Sequence, residues 1–177
     1  GEVCDARFSK CCGGMTEKFS ACWENKDYDY LDSFRDNDGK VGFVDLTDEA
    51  AARCWIEDAP VSFCNTDDKE VLSQVLNGYD CETNDFYRWQ VKYTQDEITQ
   101  LIEKRSGISF GRIEDLQPVE RAASGRLVAL RIVGANRTVV VGKELEIRRW
   151  LSPSHLYSSA FVIDKLCSDA GEISFLL

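Results

Sequence analysis

Residues 124–164, SGRLVALRIVGANRTVVVGKELEIRRWLSPSHLYSSAFVID, decide the fold of this chain. Residues 127–132 alternate between the two faces of an extended chain, which predicts a strand with at least one buried face. Gly134, Ala135 and Asn136 predict a turn, because glycine and asparagine tolerate positive φ angles. Residues 138–141 are β-branched, and they predict the returning strand.

A helix and a third strand complete this stretch. Gly142 opens the predicted helix, and Pro153 ends it because a proline ring cannot continue a helix. One broad apolar face of this helix is formed by Leu145, Ile147, Trp150 and Leu151. Residues 158–163 predict another strand. The whole stretch is therefore expected to form the core of the domain.

The rest of the chain adds helices and further strands. Thr47 and Thr66 predict the N-caps of two helices, over residues 47–58 and 67–77. A capping box from Thr94 to Glu97 begins a third helix. Strands are predicted over residues 3–8, 86–93 and 172–177, and residues 108–123 are expected to form a strand and a loop.

These elements predict an α+β fold. We expect an antiparallel β-sheet core with three to four helices, two of them in a middle helical insert. The 177 residues suffice for one core, so they are expected to form a single domain. Residues 1–39 and 108–177 would supply the core sheet, and residues 40–107 the helical insert.

The net charge and the lack of long apolar segments argue against nucleic-acid partners, anionic lipid surfaces and a membrane span. The 31 acidic residues outnumber the 21 basic ones, and the net charge of −10 argues against nucleic acid and anionic lipid surfaces. A membrane span needs about 18 consecutive apolar residues, and no such window occurs.

Residues 36–39, Asp-Asn-Asp-Gly, resemble part of an EF-hand calcium loop. Aligning Gly39 with the loop glycine would place Phe34 at the first ligand position, which needs a carboxylate, and Asp45 at the last, which prefers a bidentate glutamate. A polar turn therefore fits better.

Two stretches resemble a known protein family. The first runs from Ala6 to Glu17, ARFSKCCGGMTE, and continues with Cys22-Trp23-Glu24. The second combines Ser124-Gly125-Arg126, Gly142-Lys143-Glu144, Ile147-Arg148 and Ser158-Ser159-Ala160-Phe161. Together they resemble the SpoIID/LytB family, which comprises stage II sporulation protein D and the amidase enhancers. Residues 40–107 have no match to the family residue by residue.

The resemblance implies a function in the bacterial cell wall. Members act outside the cytoplasm on peptidoglycan, and sporulation protein D is a lytic transglycosylase that prefers glycan strands stripped of their peptides. The chain would then be the peptidoglycan-engaging part of such an enzyme or of an amidase activator. It would be located in the periplasm or the cell envelope, or it would be secreted. The alternative is a non-catalytic binding or scaffold module that stimulates a cell-wall amidase.

The resemblance also implies an incomplete catalytic machinery. The family places its catalytic glutamate before the Gly-Gly loop, and a Gly-His-Gly segment after the last strand. Neither occurs here, so the chain is expected to be an interior fragment without the catalytic acid. Within the matching stretches, Glu17, Glu24 and Glu144 are weaker candidates for the acid. Each has a structural alternative: Glu17 as a first-turn or cap residue, Glu24 as a solvated residue and Glu144 as a charge at a helix N-terminus.

Glycan-binding residues are predicted in both matching stretches. Glycines allow a ligand to approach the backbone, a hydroxyl can bond to sugar hydroxyls, aromatic rings stack on pyranose faces, and cations suit an anionic glycan. The predicted set is Gly13, Gly14, Thr16, Trp23, Arg126, Lys143 and Arg148. Tyr30 is a further stacking candidate, and core packing is the alternative for each aromatic residue.

The eight cysteines leave three interpretations open. One is a structural zinc held by the four that crowd the first 22 residues, namely Cys4, Cys11, Cys12 and Cys22. Another is a disulfide, Cys4–Cys12 or Cys11–Cys22, and the third is buried free thiols. Cys64 and Cys81 form a further candidate bridge.

The only histidine, His155, lies among serines and near Asp164. A hydrolase triad can be drawn from these residues, and Cys12 with His155 makes a thiol protease pair. No Gly-x-Ser-x-Gly elbow or cysteine protease signature flanks them, so a structural role is the better interpretation.

Overall fold

The computed structural model describes residues 1, 3–39, 42, 44–76, 85–154 and 156–177. Its helices are α1 (Phe19–Cys22), α2 (Glu49–Asp58), α3 (Lys69–Val75), α4 (Gln95–Ser106) and α5 (Glu144–Trp150). Its strands are β1 (Lys92–Thr94), β2 (Ile113–Arg121), β3 (Leu127–Gly134), β4 (Thr138–Val141), β5 (Asp164–Cys167) and β6 (Ile173–Leu176). The predicted α+β class is confirmed, with five helices in the described ranges instead of three to four.

The first sheet is the antiparallel meander β2–β3–β4. Its centre is β3, where Leu127, Leu130 and Ile132 are fully buried. The predicted turn between β3 and β4 is present, and the Gly134 N–H donates to the Arg137 carbonyl at 2.9 Å. A Cβ at Gly134 would lie 2.5 Å from the Phe110 carbonyl oxygen, so only glycine fits this tight position.

The second sheet has the order β1–β6–β5, with both pairings antiparallel. The prediction of a strand over residues 158–163 is wrong, since β5 begins only at Asp164. In the segment before it, the Ser158 hydroxyl accepts a bond from the Ala160 N–H at 2.8 Å, a local bond that competes with strand pairing. The predicted strand over residues 86–93 shrinks to Lys92–Thr94.

Helices α4 and α5 pack on the sheets to form the main core. The predicted capping box is present: the Thr94 hydroxyl accepts from the Glu97 N–H, and the Glu97 carboxylate accepts from the Thr94 N–H. The helix buries Ile98 and Ile102 completely. The core also contains Phe110, Ile113, Leu116, Leu127, Leu130, Ile132, Val141, Ile147, Trp150, Leu151, Leu156, Phe161, Phe175 and Leu177.

A smaller cluster joins the N-terminal part of the chain to α2, and it consists of Met15, Leu46, Ala52 and Trp55. The caps of α2 and α3 are Asp48 and Asp68, so the predicted caps Thr47 and Thr66 are wrong by one and two positions. The predicted end of the second helix, at Asn77, lies outside the described residues.

The predicted strand over residues 3–8 is wrong for the part that the structure describes. Val3 and Phe8 are almost fully exposed, and no neighbouring strand pairs with residues 3–8 in the described chain. Alternating apolar residues form a strand only where a partner strand and a buried face are available. Among the described residues, no helix has the length and apolar character needed to cross a membrane.

Candidate active site

Two cavities meet at the Cys11-Cys12-Gly13-Gly14 segment, which we call the strap. One cavity of about 320 Å³ contains Glu17, and we call it the acid cleft. The other, of about 430 Å³, is bordered by Trp55, Phe86 and Trp89, and we call it the aromatic cleft. The two share the wall residues Cys11, Cys12, Arg126, Tyr157 and Ser158.

Glu17 is the carboxyl group best placed for chemistry. It lies three residues after the strap, and its side chain accepts a hydrogen bond from the Ser124 hydroxyl and one of 2.7 Å from the Lys18 N–H. Burial raises the pKa of Glu17, and the hydrogen bond from Ser124 and the charge of Arg126 only partly oppose this effect. A carboxyl group with a raised pKa in a cleft has the properties of a general acid.

The other two candidate acids differ sharply from Glu17. Glu144, at the start of α5, lines the same cleft but is 3% exposed and forms an ion pair with Arg148 at 3.3 Å. The negative charge of Glu144 contributes to the raised pKa of Glu17. Glu24 is exposed and does not line the acid cleft. The structure therefore brings Glu17 and Glu144 together and leaves Glu24 apart.

Aromatic side chains border both clefts. Trp23 and Tyr30 line the acid cleft, and Tyr157 lies between the two. The Trp23 ring packs on Phe19 with the centroids 5.2 Å apart, and the Arg7 guanidinium lies 5.0 Å from the Trp23 centroid. Tyr30 keeps 47% of its surface exposed. These rings offer apolar surface to a ligand in the cleft, while Trp23 is also packed within the protein.

The two glycines and the threonine of the predicted binding set lie in or next to the strap. Gly14 has a φ of 92°, and a Cβ there would meet the Tyr87 hydroxyl at 2.9 Å and the Ser62 hydroxyl at 3.0 Å. The close approach at Gly14 is thus to the protein itself. Thr16 donates to the Asp32 carbonyl at 2.8 Å, whereas Gly13 lines the aromatic cleft, and a Cβ there would meet only an Arg88 nitrogen, at 3.9 Å.

The predicted basic residues are bonded inside the protein. Arg126 donates to the carbonyls of Met15 and Cys12, at 3.1 and 2.9 Å, and so ties the strap to β3. Lys143 donates to the Ser20 carbonyl at 2.8 Å. Arg148 donates to the Leu156 carbonyl at 2.6 Å, in addition to its pair with Glu144. Arg126 and Arg148 still line the acid cleft, and their role toward a glycan remains a prediction.

The aromatic cleft is built around a half-buried arginine. Arg88 donates to the carbonyls of Ile56, Trp55 and Tyr87, at 2.7, 3.0 and 2.8 Å. Burial lowers the pKa of Arg88. The ring of Tyr157 lies 5.9 Å from that of Trp89. This arrangement fixes residues 86–89 against α2 in place of the predicted strand.

The strap brings together cysteines that the sequence does not pair. The Cys12 and Cys64 sulfurs are 3.4 Å apart, and a carboxylate oxygen of Asp36 lies within 4.8 Å of both. Cys11 also interacts electrostatically with Cys64, and the interactions with Cys11 and Cys12 lower the pKa of Cys64. No local spacing links Cys64 or Asp36 to the strap, which explains why sequence reasoning missed them.

The four cysteines predicted as zinc ligands do not converge. Cys11 and Cys12 lie together, but Cys22 lines the acid cleft near Glu144, where burial raises its pKa to about 12. Cys4 is exposed. All cysteines that the structure describes are free thiols, so it contains neither of the predicted bridges, Cys4–Cys12 and Cys11–Cys22. Cys81 and His155 lie outside the described residues, as do the bridge and the triad that depend on them.

Comparison with known proteins assigns the chain to a family without assigning it a function. No curated protein and no solved structure matches it. A family model described as a domain of unknown function, DUF8618, matches residues 17–176. The match begins at Glu17 and includes both sheets and every described helix. The chain therefore belongs to the DUF8618 family.

Proposed function

We propose that this domain binds glycan strands of bacterial peptidoglycan in the acid cleft and cleaves them as a lytic transglycosylase, with Glu17 as the acid. The observation that carries the proposal is the position of Glu17, a carboxyl group of raised pKa inside a cleft bordered by aromatic rings. The resemblance to the SpoIID/LytB family supplies the substrate class. In that family an earlier segment holds the acid, whereas here Glu17 takes this role.

The chemistry needs one carboxyl group that acts twice. The protonated Glu17 gives its proton to the glycosidic oxygen as the bond breaks, and the resulting carboxylate then takes a proton from the attacking hydroxyl of the same sugar. The raised pKa shifts Glu17 toward its protonated form, which is the form that can donate a proton to the glycosidic oxygen. The Ser124 hydroxyl and the nearby Arg126 charge then stabilise the carboxylate.

A second function is favoured by a specific observation. Both oxygens of Glu17 accept hydrogen bonds within the protein, one from Ser124 and one from the Lys18 N–H. Such bonds also fit a structural carboxylate that holds the strap against the β2–β3 turn. The domain would then bind glycan strands without cleaving them and would stimulate a cell-wall amidase. Both functions place the protein outside the cytoplasm.

Product analysis separates the two functions. We would incubate the protein with denuded glycan strands and with intact sacculi, and search for anhydro-muramyl products by mass spectrometry. The proposal predicts such products, and a loss of about 10²-fold or more in Glu17→Gln. Glu24→Gln is the matched control, because Glu24 is exposed and outside the cleft, and it should retain activity.

Binding is measured on the same samples by cosedimentation with sacculi. Binding without products would reject the transglycosylase and support the amidase-stimulating module, which an assay of amidase activity with added protein then tests. Absence of both binding and products would overturn both functions. Trp23→Ala should weaken binding, because Trp23 contributes aromatic surface to the acid cleft.

A further inference from the structure

Three loops distant in sequence meet at the strap through metal-binding side chains. Cys12 and Cys64 have their sulfurs 3.4 Å apart, and Asp36 places a carboxylate oxygen within 4.8 Å of both. Cys11 precedes Cys12 in the strap and interacts electrostatically with Cys64, but its sulfur lies outside this group of atoms. Two thiols and one carboxylate are therefore close to a common point with a third thiol beside them, and all four residues are partly buried.

The spacing of these atoms fits a tetrahedral zinc site. A zinc–sulfur bond is about 2.3 Å long, so two thiolates on one tetrahedral ion lie about 3.8 Å apart. The observed separation of 3.4 Å between Cys12 and Cys64 is close to that edge, and an ion would spread the sulfurs only slightly. The Asp36 carboxylate oxygen lies within 4.8 Å of both sulfurs, which is close enough for it to become the third ligand of the same ion.

The surrounding backbone supports thiolate ligands. The backbone N–H groups of Gly13 and Gly14 act electrostatically on the neighbouring sulfurs, Gly13 on Cys11 and Gly14 on Cys12 and Cys64. The strap can turn its amides toward the sulfurs because both glycines adopt positive φ angles, 69° and 92°. Polar groups around the ligands help to orient them and tune a metal site.

Two further contacts complete the surroundings. The Cys64 N–H donates to Asp36 at 2.9 Å and fixes the orientation of the carboxylate. The half-buried Arg88 guanidinium interacts electrostatically with Cys11 and Cys64, and it offsets part of the negative charge that three thiolates and a carboxylate would bring to one ion. The Cys-Cys-Gly-Gly sequence thus supplies two ligands and the amides that support them.

We propose that Cys12, Cys64 and Asp36 bind one Zn²⁺ ion, and that the adjacent Cys11 turns toward the ion to supply the fourth ligand. The ion joins the strap to the loops that carry Asp36 and Cys64, and so holds the wall shared by the acid and aromatic clefts. Its ligand set differs from the one expected from sequence, because Cys4 and Cys22 are replaced by Cys64 and Asp36. The site stands independently of glycan cleavage, since no catalytic residue takes part in it.

Metal content and cobalt spectroscopy test the site. Protein purified without chelators should contain about one zinc ion per chain, measured by inductively coupled plasma mass spectrometry. After removal of the zinc, Co²⁺ should produce an intense thiolate-to-metal charge-transfer band, which zinc then abolishes. Cys64→Ser should lose most of the bound metal, and Asp36→Asn should bind it at least tenfold more weakly. Cys54→Ser and Cys167→Ser are matched controls, because both cysteines are exposed and outside the cluster.

Three results would overturn the site. The first is wild-type protein that contains no zinc and develops no charge-transfer band with cobalt. The second is a Cys12–Cys64 disulfide in freshly purified metal-free protein, detected by peptide mapping without reduction. The third is zinc that survives in Cys64→Ser but is lost in Cys22→Ser or Cys4→Ser. If Cys64→Ser does not fold, the cobalt spectrum of the wild-type protein decides the outcome.

Discussion

Burial of Glu17 links the chemistry of the acid cleft to the stability of the protein. The folded chain raises the pKa of this carboxyl group, chiefly because burial disfavours the charged form. Between the ordinary glutamate pKa and the raised value, the folded state therefore binds more protons than the unfolded state. Linkage requires the free energy of unfolding to fall as the pH rises through that interval.

A glutamine at position 17 should remove this pH dependence. Glu17→Gln cannot ionise, so its free energy of unfolding should change less across the interval than that of the wild-type protein. Urea unfolding at a series of pH values measures both. Glu24→Gln should keep the wild-type slope, because Glu24 is exposed. Equal slopes for wild-type and Glu17→Gln protein would show that Glu17 titrates normally.

Gly14 is a second residue whose environment permits little change. Its φ of 92° disfavours any side chain, and a Cβ would meet the Tyr87 and Ser62 hydroxyls within about 3 Å. We expect Gly14→Ala to lower the free energy of unfolding by about 2 kcal/mol or more, from backbone strain and overpacking together. Urea unfolding measures this change.

The control for Gly14→Ala is Gly171→Ala. Gly171 also has a positive φ, 79°, but no atom lies within 4 Å of its Cβ position. Gly171→Ala should therefore show the backbone cost alone and destabilise the protein less. Equal effects of the two substitutions would mean that the contacts around Gly14 add nothing.

At the scale of single elements, the N-cap of α2 allows a direct test of which residue caps the helix. The Asp48 side chain accepts from the Ala51 N–H at 2.9 Å, whereas the preceding Thr47 is exposed. Asp48→Ala should lower the free energy of unfolding by about 1 kcal/mol, because an N–H in the first turn loses its partner. Thr47→Ala should have a smaller effect. Urea unfolding of both variants would reveal the reverse order if Thr47 were the true cap.

Local spacing explains which elements were predictable. The capping box of α4 needs residues only three positions apart, and the β3–β4 hairpin needs a turn between two alternating segments, so both are confirmed. Residues 158–163 end in an apolar run that is typical of a strand, but they meet no partner strand in the described chain, apart from one bond from the Leu127 N–H to the Ser159 carbonyl. Whether a segment pairs with another strand depends on the path of the folded chain, and the local residue pattern does not contain this information.

At the scale of the whole molecule, the candidate site is assembled by contacts between distant residues. Glu17 meets Ser124 across 107 positions, and Arg126 meets Cys12 across 114. Motif-like sequence identified both stretches as important, and it listed Glu17 among the weaker acids. It could not reveal that burial distinguishes Glu17 from Glu24, because burial is a property of the folded chain.

Arg121 joins α2 to the main core through a network of hydrogen bonds. It is 4% exposed and forms two hydrogen bonds with Glu49 of α2, at 2.6 and 2.9 Å. It also donates to the carbonyls of Gly125 and Phe161, at 2.6 and 2.9 Å. One buried guanidinium thus connects α2, the β2–β3 turn and the segment before β5.

Replacing this guanidinium should destabilise the whole domain. Arg121→Met keeps an unbranched apolar stem but leaves the two carbonyls without their donor, and we expect a loss of about 2–4 kcal/mol in the free energy of unfolding. Urea unfolding with a constant m value would measure it. Arg149→Met is the control, since Arg149 forms an exposed pair with Glu146 and should have a much smaller effect. Similar losses in both variants would show that Arg121 stabilises the fold no more than a surface ion pair does, and that α2 is held mainly by the apolar cluster around Trp55.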